Sequence, residues 1–255
     1  MDWYISDDGK YRIEPLTPAT FPGALQVIKE SFCQDEYVSI GCEINKNPKA
    51  ADELLQLCAD AALDGASLVA VATETGEVVG VAFNKVQVKT SGSTEKTFFQ
   101  IFAEERCKED SSKSLIKFMD DVDGRVNLFE KYDIDCLLEI MFLATLQTHR
   151  GNRIGRYLCE ESIKAAKRHK NGPVAPIAVE DMGPKYSMLK ARKPLTTYPK
   201  ICSAIWTSPY SQKIGKTLNF KVHMTVPLSE FMHDGKSYSE RIGAPVFCQI
   251  AAIPL

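Results

Sequence analysis

The sequence has no long apolar run and no excess of charge of either sign. Charged residues interrupt its apolar stretches well before the length of about 20 residues that a membrane-spanning helix needs. Its 31 Lys and Arg residues nearly balance 33 Asp and Glu residues, which gives a formal net charge of -2. A strongly basic footprint for nucleic acid is therefore absent. We expect neither a nucleic-acid partner nor a membrane.

Cysteine, histidine and hydrolase motifs are also missing. None of the eight cysteines forms a CxxC pair, and the four histidines show no ligand spacing, so we expect no metal. Neither a GxSxG element nor the Gly-Lys-Ser/Thr of a phosphate-binding P-loop is present. The first four residues have no basic segment followed by an apolar run, so no signal peptide is expected. We therefore expect a cytoplasmic protein with reduced thiols, and disulfides are the alternative.

The order of apolar patterns predicts a mixed fold. The 255 residues fit one large α/β domain over residues 1–255, with two small domains as the alternative. Strands are predicted at 11–16, 67–73, 78–88, 136–146, 201–206, 221–226 and 245–253, with a short extended piece at 97–102. Helices are predicted at 17–32, 49–63, 112–132, 150–169 and 208–218, and loops at 35–47 and 171–200. This order indicates an α/β (mixed α+β) fold: a twisted sheet of about seven strands, passing from mostly antiparallel to parallel, flanked by helices. Residues 171–200 are expected to form a lid or an insertion loop.

The junction between the buried strand and the helix at 137–164 has the features of an anion site. A short turn with Gly151 leads directly into a helix, whose first backbone N–H groups and dipole favour negative charge. Arg150, Arg153 and Arg156 add positive charge around the turn. A diphosphate would suit this site, and a plain turn with a solvated basic helix face is the alternative.

Three segments resemble known acetyltransferases. The run Arg150-Gly-Asn-Arg-Ile-Gly155 resembles the R/Q-x-x-G-x-G/A signature of the GNAT acetyltransferases, which binds the pyrophosphate of coenzyme A, although Arg153 stands where the family usually has glycine. Residues 32–36 resemble the aromatic-x-x-Asp-Glu stretch of insect arylalkylamine N-acetyltransferases, and residues 202–220 resemble their late strand and Ser-rich helix start. The resemblance implies the GNAT fold and acetyl-CoA as co-substrate. It implies cofactor contacts at Leu143, Ala144, Thr145, Arg150, Gly151, Asn152, Arg153, Ile154, Gly155, Arg156 and Ser208, with a backbone N–H of residues 143–145 as oxyanion donor.

Two carboxylates are candidates for the general base. The resemblance assigns this role to Glu36, and the neighbouring Asp35 would raise its pKa by like charge. Glu139 is the rival, because it is the one charge in a strand expected to be buried, and its strand resembles that of histone-type GNAT enzymes. The alternatives are a solvated acidic loop for Glu36 and an ion-paired rim position for Glu139.

Hydroxyl groups open the helix that follows the strand at 201–206. The family places hydroxyls near the thiol and the amine, which makes Thr207, Tyr210 and Ser211 candidates, with Tyr210 or Ser211 as proton donor to the leaving thiolate. Helix capping by Thr207 or Ser208 is the alternative, and both roles are compatible.

The resemblance implies a monomeric enzyme that moves an acetyl group from acetyl-CoA to a small primary amine by direct transfer in a ternary complex. An arylalkylamine such as dopamine, serotonin, octopamine or tyramine is the expected substrate. The alternatives are a lysine acetyltransferase for proteins or peptides, an acyltransferase for agmatine, polyamines or longer acyl-CoAs, and a non-catalytic CoA-binding protein.

Overall fold

The computed structural model describes residues 4–89 and 96–255. The strands in these residues are β1 (Tyr4–Ile5), β2 (Tyr11–Pro15), β3 (Leu68–Ala72), β4 (Val78–Val88), β5 (Cys136–Thr145), β6 (Ile201–Trp206), β7 (Lys221–Pro227), β8 (Met232–His233), β9 (Lys236–Ser237) and β10 (Phe247–Pro254). The α-helices are α1 (Phe21–Val27), α2 (Cys33–Asp35), α3 (Tyr37–Gly41), α4 (Pro48–Ala62), α5 (Phe98–Arg106), α6 (Asp110–Gly124), α7 (Leu128–Tyr132), α8 (Ile154–Arg168), α9 (Pro209–Thr217) and α10 (Tyr238–Ile242).

Eight strands form one mixed sheet in the order β1-β2-β3-β4-β5-β6-β10-β7, and β8 and β9 form a separate small hairpin. Neighbouring strands in the large sheet are antiparallel except β5 and β6, which are parallel. The predicted mixed α/β fold is confirmed. The eighth strand is the two-residue β1, too short to show a sequence period.

Helices cover both faces of the sheet. The larger core cluster joins α1, α4 and α6 to one face, where Phe32 packs edge to face on Phe142 at 5.2 Å between ring centroids. On the other face, α8 buries Leu158 and Cys159 against the sheet. β5 lies between these layers, which explains why its first five residues are all buried and why its sequence reads as a continuous apolar run.

The prediction of an extended piece at 97–102 is wrong. Thr97 accepts a hydrogen bond from the backbone N–H of Gln100, whose side chain accepts one from the N–H of Thr97. This capping box starts α5, because it satisfies N–H groups that the first turn leaves free.

The loop predicted at 35–47 is also wrong in part, since α2 and α3 occupy its first half. The helix predicted at 17–32 begins at Phe21 and changes to a π-helix over Ile28–Phe32. The helix predicted at 112–132 is divided after Gly124, and the helix predicted from 150 begins at Ile154. No element was predicted at residues 228–244, but this region contains β8, β9 and α10, and α10 packs on α3.

Residues 171–200 contain 3₁₀ turns and irregular backbone. Arg192 pairs with Asp60 and Asp64, each at 2.5 Å, which fastens this segment to the end of α4. Its role as a lid stays a prediction. No helix of the described residues is long and apolar enough to cross a membrane. All eight cysteines are free and buried, as expected for reduced thiols.

Candidate functional site

The parallel strands β5 and β6 separate in the middle of the sheet. They pair only from Leu138 opposite Cys202 to Ile140 opposite Ala204. β5 then continues to Thr145 and β6 to Trp206 without further pairing to each other. A gap therefore opens between the carboxyl ends of two central strands, where backbone groups are free to pair with an inserted ligand.

The free backbone groups on β5 can be identified from its pairing with β4. The N–H of Leu146 donates to the carbonyl of Val79, so alternate residues of this antiparallel ladder point towards β4. The N–H groups of Leu143 and Thr145 consequently face the gap. The N–H of Ala144 points towards β4 and pairs with that strand. Only its neighbours Leu143 and Thr145 can therefore donate a hydrogen bond to a ligand in the gap.

The turn before α8 carries a row of free donors. Among the described residues, the backbone N–H groups of 151–156 have no hydrogen-bond partner, and the first bond of α8 runs from Tyr157 to the carbonyl of Arg153. These six consecutive donors lie at the positive end of a helix of 15 residues. The arrangement fits a diphosphate group.

The backbone conformation of this turn explains why the GNAT signature has glycine at the position that Arg153 occupies in this chain. Arg153 is the N-cap of α8 and has φ 60° and ψ 11°, in the left-handed region that glycine adopts without cost. Gly151 also has a positive φ, at 83°. At Gly155 the reason for glycine is packing, since an added Cβ would lie 3.2 Å from Ile214 of α9.

The side chain of Arg150 points away from the row of donors. Its Nη2 donates to Asp35 Oδ2 at 2.7 Å and to Ser31 Oγ at 2.8 Å, and its Nε donates to the carbonyl of Thr145 at 3.2 Å. Arg156 pairs with Glu160 one helical turn away. Arg150 therefore connects the end of β5 to the segment that carries Glu36.

A cavity of about 110 Å³ lies below the gap between β5 and β6. Its walls combine apolar side chains with two carboxylates and three hydroxyls. The lining residues are Phe32, Glu36, Val38, Leu115, Phe118, Met119, Glu139, Ile140, Met141, Phe142, Leu143, Ile205, Trp206, Thr207, Ser208 and Ser211.

Glu36 is held at one side of this cavity as the N-cap of α3. Its Oε2 accepts from the backbone N–H of Ser39 at 2.8 Å, and its Oε1 accepts from Thr207 Oγ1 at 2.6 Å. Burial raises the pKa of the Glu36 carboxyl above its ordinary value, while the hydrogen bonds from Thr207 and from α3 act in the opposite direction. Burial, rather than the expected like charge of Asp35, is the leading cause, because Asp35 is paired with Arg150.

Glu139 is buried, with 2% of its surface exposed, so the rim position considered above is wrong. Its Oε2 accepts from Gln87 Nε2 at 2.6 Å. Burial and the neighbouring Asp123 raise the pKa of Glu139 to about 8, against smaller opposing effects of Gln87 and Lys85. Both carboxyls therefore have raised pKa values, and Glu36 is distinguished from Glu139 by its hydrogen bond to Thr207 beside the gap between β5 and β6.

The hydroxyl candidates divide into two groups. Ser208 is the N-cap of α9, and its side chain accepts from the N–H of Ser211, so the expected capping role is confirmed. Thr207, Ser208 and Ser211 line the cavity, whereas Tyr210 is 80% exposed and is not among the lining residues. Among the two proton-donor candidates, the geometry favours Ser211.

The apolar wall and the groups that support the carboxylates were missed by sequence reasoning. Leu115, Phe118 and Met119 lie on α6, within the helix predicted at 112–132, and that prediction did not place them at a site. Gln87 touches Glu139 across the β4–β5 pair, and this contact could have been found only from the register of the two strands.

The sequence matches no family model and no curated protein. Solved structures do match. Arylalkylamine N-acetyltransferase 2 from Aedes aegypti superposes with a TM-score of 0.72 at 17% identity, covering 96% of this chain and 98% of that one. A putative arylalkylamine N-acetyltransferase 7 from the same mosquito gives a TM-score of 0.69 at 18% identity, covering 96% and 87%. Polyamine N-acetyltransferase of Drosophila melanogaster, which catalyses formation of N-acetylagmatine, gives 0.70 at 14% identity, covering 96% and 100%. The chain therefore has the GNAT fold that these structures share.

Proposed function

We propose that this protein is an acetyl-CoA-dependent N-acetyltransferase for small primary amines, with arylalkylamines as the favoured class. The observation that carries the proposal is the position of Glu36, which faces Thr207 inside a cavity directly below the gap between β5 and β6. The free donors at 151–156 support acetyl-CoA as the co-substrate, because they fit its diphosphate.

The gap between the strands would hold the acyl-pantetheine arm. Its amides pair with the free N–H and carbonyl groups of β5, as an added strand does. The thioester carbonyl then lies near the N–H of Leu143 or Thr145, and that N–H donates to the oxyanion as it forms.

Glu36 acts as the base for the amine. An alkylammonium group has a pKa near ~10, so it must lose a proton before its nitrogen can attack. The ionised Glu36 carboxylate accepts that proton. The nitrogen electron pair then forms the new C–N bond, and the C=O electrons move to oxygen as the tetrahedral intermediate forms.

Collapse of this intermediate restores the carbonyl and breaks the C–S bond. The nitrogen releases its second proton, the thiolate takes one proton with Ser211 as the candidate donor, and the net reaction releases one proton to water. Thr207 keeps the Glu36 carboxylate aligned through its 2.6 Å hydrogen bond.

The apolar wall favours an aromatic substituent on the amine. Phe32, Leu115, Phe118 and Met119 line the cavity and offer ring faces and flexible side chains to an aryl group.

The test is release of free thiol from acetyl-CoA across a panel of arylalkylamines, alkyl diamines and lysine peptides. We expect turnover with arylalkylamines, and a loss of about 10² to 10⁴ in kcat for Glu36→Gln. The matched control is Glu30→Gln, which makes the same change on an exposed position of the π-helix. Absence of turnover with every amine would refute the proposal, and turnover of peptides alone would replace it.

A further inference from the structure

The proposed reaction gives no role to the carboxylate of Glu139, although Glu139 lines the cavity below the gap between β5 and β6. Gln87 holds Oε2, and within residues 4–89 and 96–255 Oε1 has no hydrogen-bond partner. Gln87 and Asp123 belong to the wall of a second cavity of about 1100 Å³, which has no lining residue in common with the first. Glu139 therefore lies between two cavities, and its Oε1 is available to accept a hydrogen bond from a ligand.

Among the residues that the structure describes, Glu139 has no cationic partner of its own. Asp123 faces it from α6, and Lys85 faces it from β4. Lys85 already forms an ion pair with Asp64 at 2.7 Å, so its charge is largely balanced by that carboxylate. From β6, the residue opposite Glu139 is Ser203, which carries no charge. The ionised form of a buried acid is costly without a cationic partner, so a donor that arrives with a ligand would stabilise it.

The position of Glu139 along β5 places it away from the reacting carbonyl. It precedes Leu143 by four residues, which corresponds to roughly 13 Å along an extended strand. The apolar side chains of Phe118 and Met119 line the same cavity. Glu36 and Glu139 line this one cavity, so an amine with its nitrogen at Glu36 has Glu139 as the second carboxylate within the same cavity.

We propose that Glu139, positioned by Gln87, binds a hydrogen-bond donor at the end of the substrate remote from the reacting nitrogen. This inference rests on the proposed function and narrows its substrates to amines that carry a ring hydroxyl or a second ammonium group. Either group would donate to the uncommitted Oε1, and the apolar wall would enclose the carbon atoms between the two ends.

The test compares kcat/KM within two pairs of substrates that differ only at the remote end. Tyramine against phenethylamine tests the hydroxyl, and 1,5-diaminopentane against 1-aminopentane tests the second ammonium. We expect a preference of about tenfold for the donor-bearing member of at least one pair, as for a charge-assisted hydrogen bond. Gln87→Leu should reduce that preference to about twofold, because Glu139 loses its orientation. The control Asp121→Asn removes an exposed charge from α6, the helix that carries Asp123, and should retain the wild-type preference.

The pH dependence of the preference separates binding from a merely structural role. The ionised carboxylate is the better acceptor, so the preference for tyramine should rise as the pH passes the Glu139 pKa of about 8. Asp123→Asn removes the neighbouring negative charge and should move this rise to lower pH. Thermal denaturation establishes that each variant is folded.

Three results would overturn the inference: no preference in either pair, a preference unchanged by Gln87→Leu, or a wild-type preference independent of pH between 6 and 9. If Glu139 were instead the base, Gln87→Leu would lower activity on both members of a pair equally and leave the preference intact. Failure of these four amines and of every other amine in the panel above refutes the proposed function itself, which distinguishes the two failures.

Discussion

Replacement of Arg153 by glycine should stabilise the fold and weaken acetyl-CoA binding at the same time. Arg153 has φ 60°, and the left-handed conformation costs a residue with a Cβ about 1–2 kcal/mol. Glycine avoids this cost but gives the unfolded chain extra freedom worth about 0.5–1 kcal/mol. The difference is a gain of about 0.5–1 kcal/mol, which for a chain of this size corresponds to a rise of about 1–4 °C in Tm.

The assay is urea unfolding of wild type, Arg153→Gly and Arg153→Ala at one pH. Alanine retains the Cβ and the unfavourable φ but lacks the guanidinium, so its stability should remain near that of wild type. Both variants lose the same positive charge beside the donor row, so the KM for acetyl-CoA should rise by a similar factor of about five, equivalent to ~1 kcal/mol. A glycine variant less stable than the alanine variant would refute the conformational argument, and an unchanged KM would refute the charge argument.

Three further predictions concern buried groups. Thr207→Val removes the hydrogen bond that lowers the pKa of Glu36, so the fall of kcat/KM at acidic pH should move to higher pH; an unshifted profile would contradict the contact. Glu139 binds its proton more tightly in the fold than in the unfolded chain, so wild-type stability should decrease as pH rises from about 5 to about 8. Glu139→Gln should flatten that slope in thermal denaturation, and an equal slope in both proteins would exclude Glu139 as its source. Gly41→Ala places a Cβ 2.5 Å from a buried tyrosine ring and should cost about 1–3 kcal/mol in urea unfolding, whereas a neutral effect would show that the ring moves freely.

The sequence predicts the central strands well, because strands buried on both faces consist mainly of apolar residues. β4 matches its predicted bounds, and β5 and β6 do so within a residue, since each is largely apolar and buried. The short helices α2 and α3 have no recognisable sequence pattern, because three to five residues cannot display a 3.6-residue period. Their boundaries depend on Glu36, which ends one helix and caps the next.

The candidate site divides in the same way into local and distant parts. The donor row at 151–156 follows from consecutive residues, so a turn pattern can predict it. The contact between Glu36 and Thr207 joins residues 171 positions apart, and no local pattern contains it. The contact between Gln87 and Glu139 depends on strand register and on a shift near Asn84, which sequence periodicity does not reveal.

The carbonyl of Thr145 joins the two halves of the candidate site. It accepts from Ser31 at 2.9 Å and from Arg150 at 3.2 Å, while Arg150 also holds Asp35. Asp35 precedes Glu36, so the end of β5, the turn before α8 and the segment with the candidate base form one connected unit. Because the guanidinium of Arg150 is engaged in this unit, an incoming diphosphate would meet the backbone donors first. Any contact that draws Arg150 towards the diphosphate must then loosen Asp35, and the position of Glu36 becomes coupled to occupation of the turn.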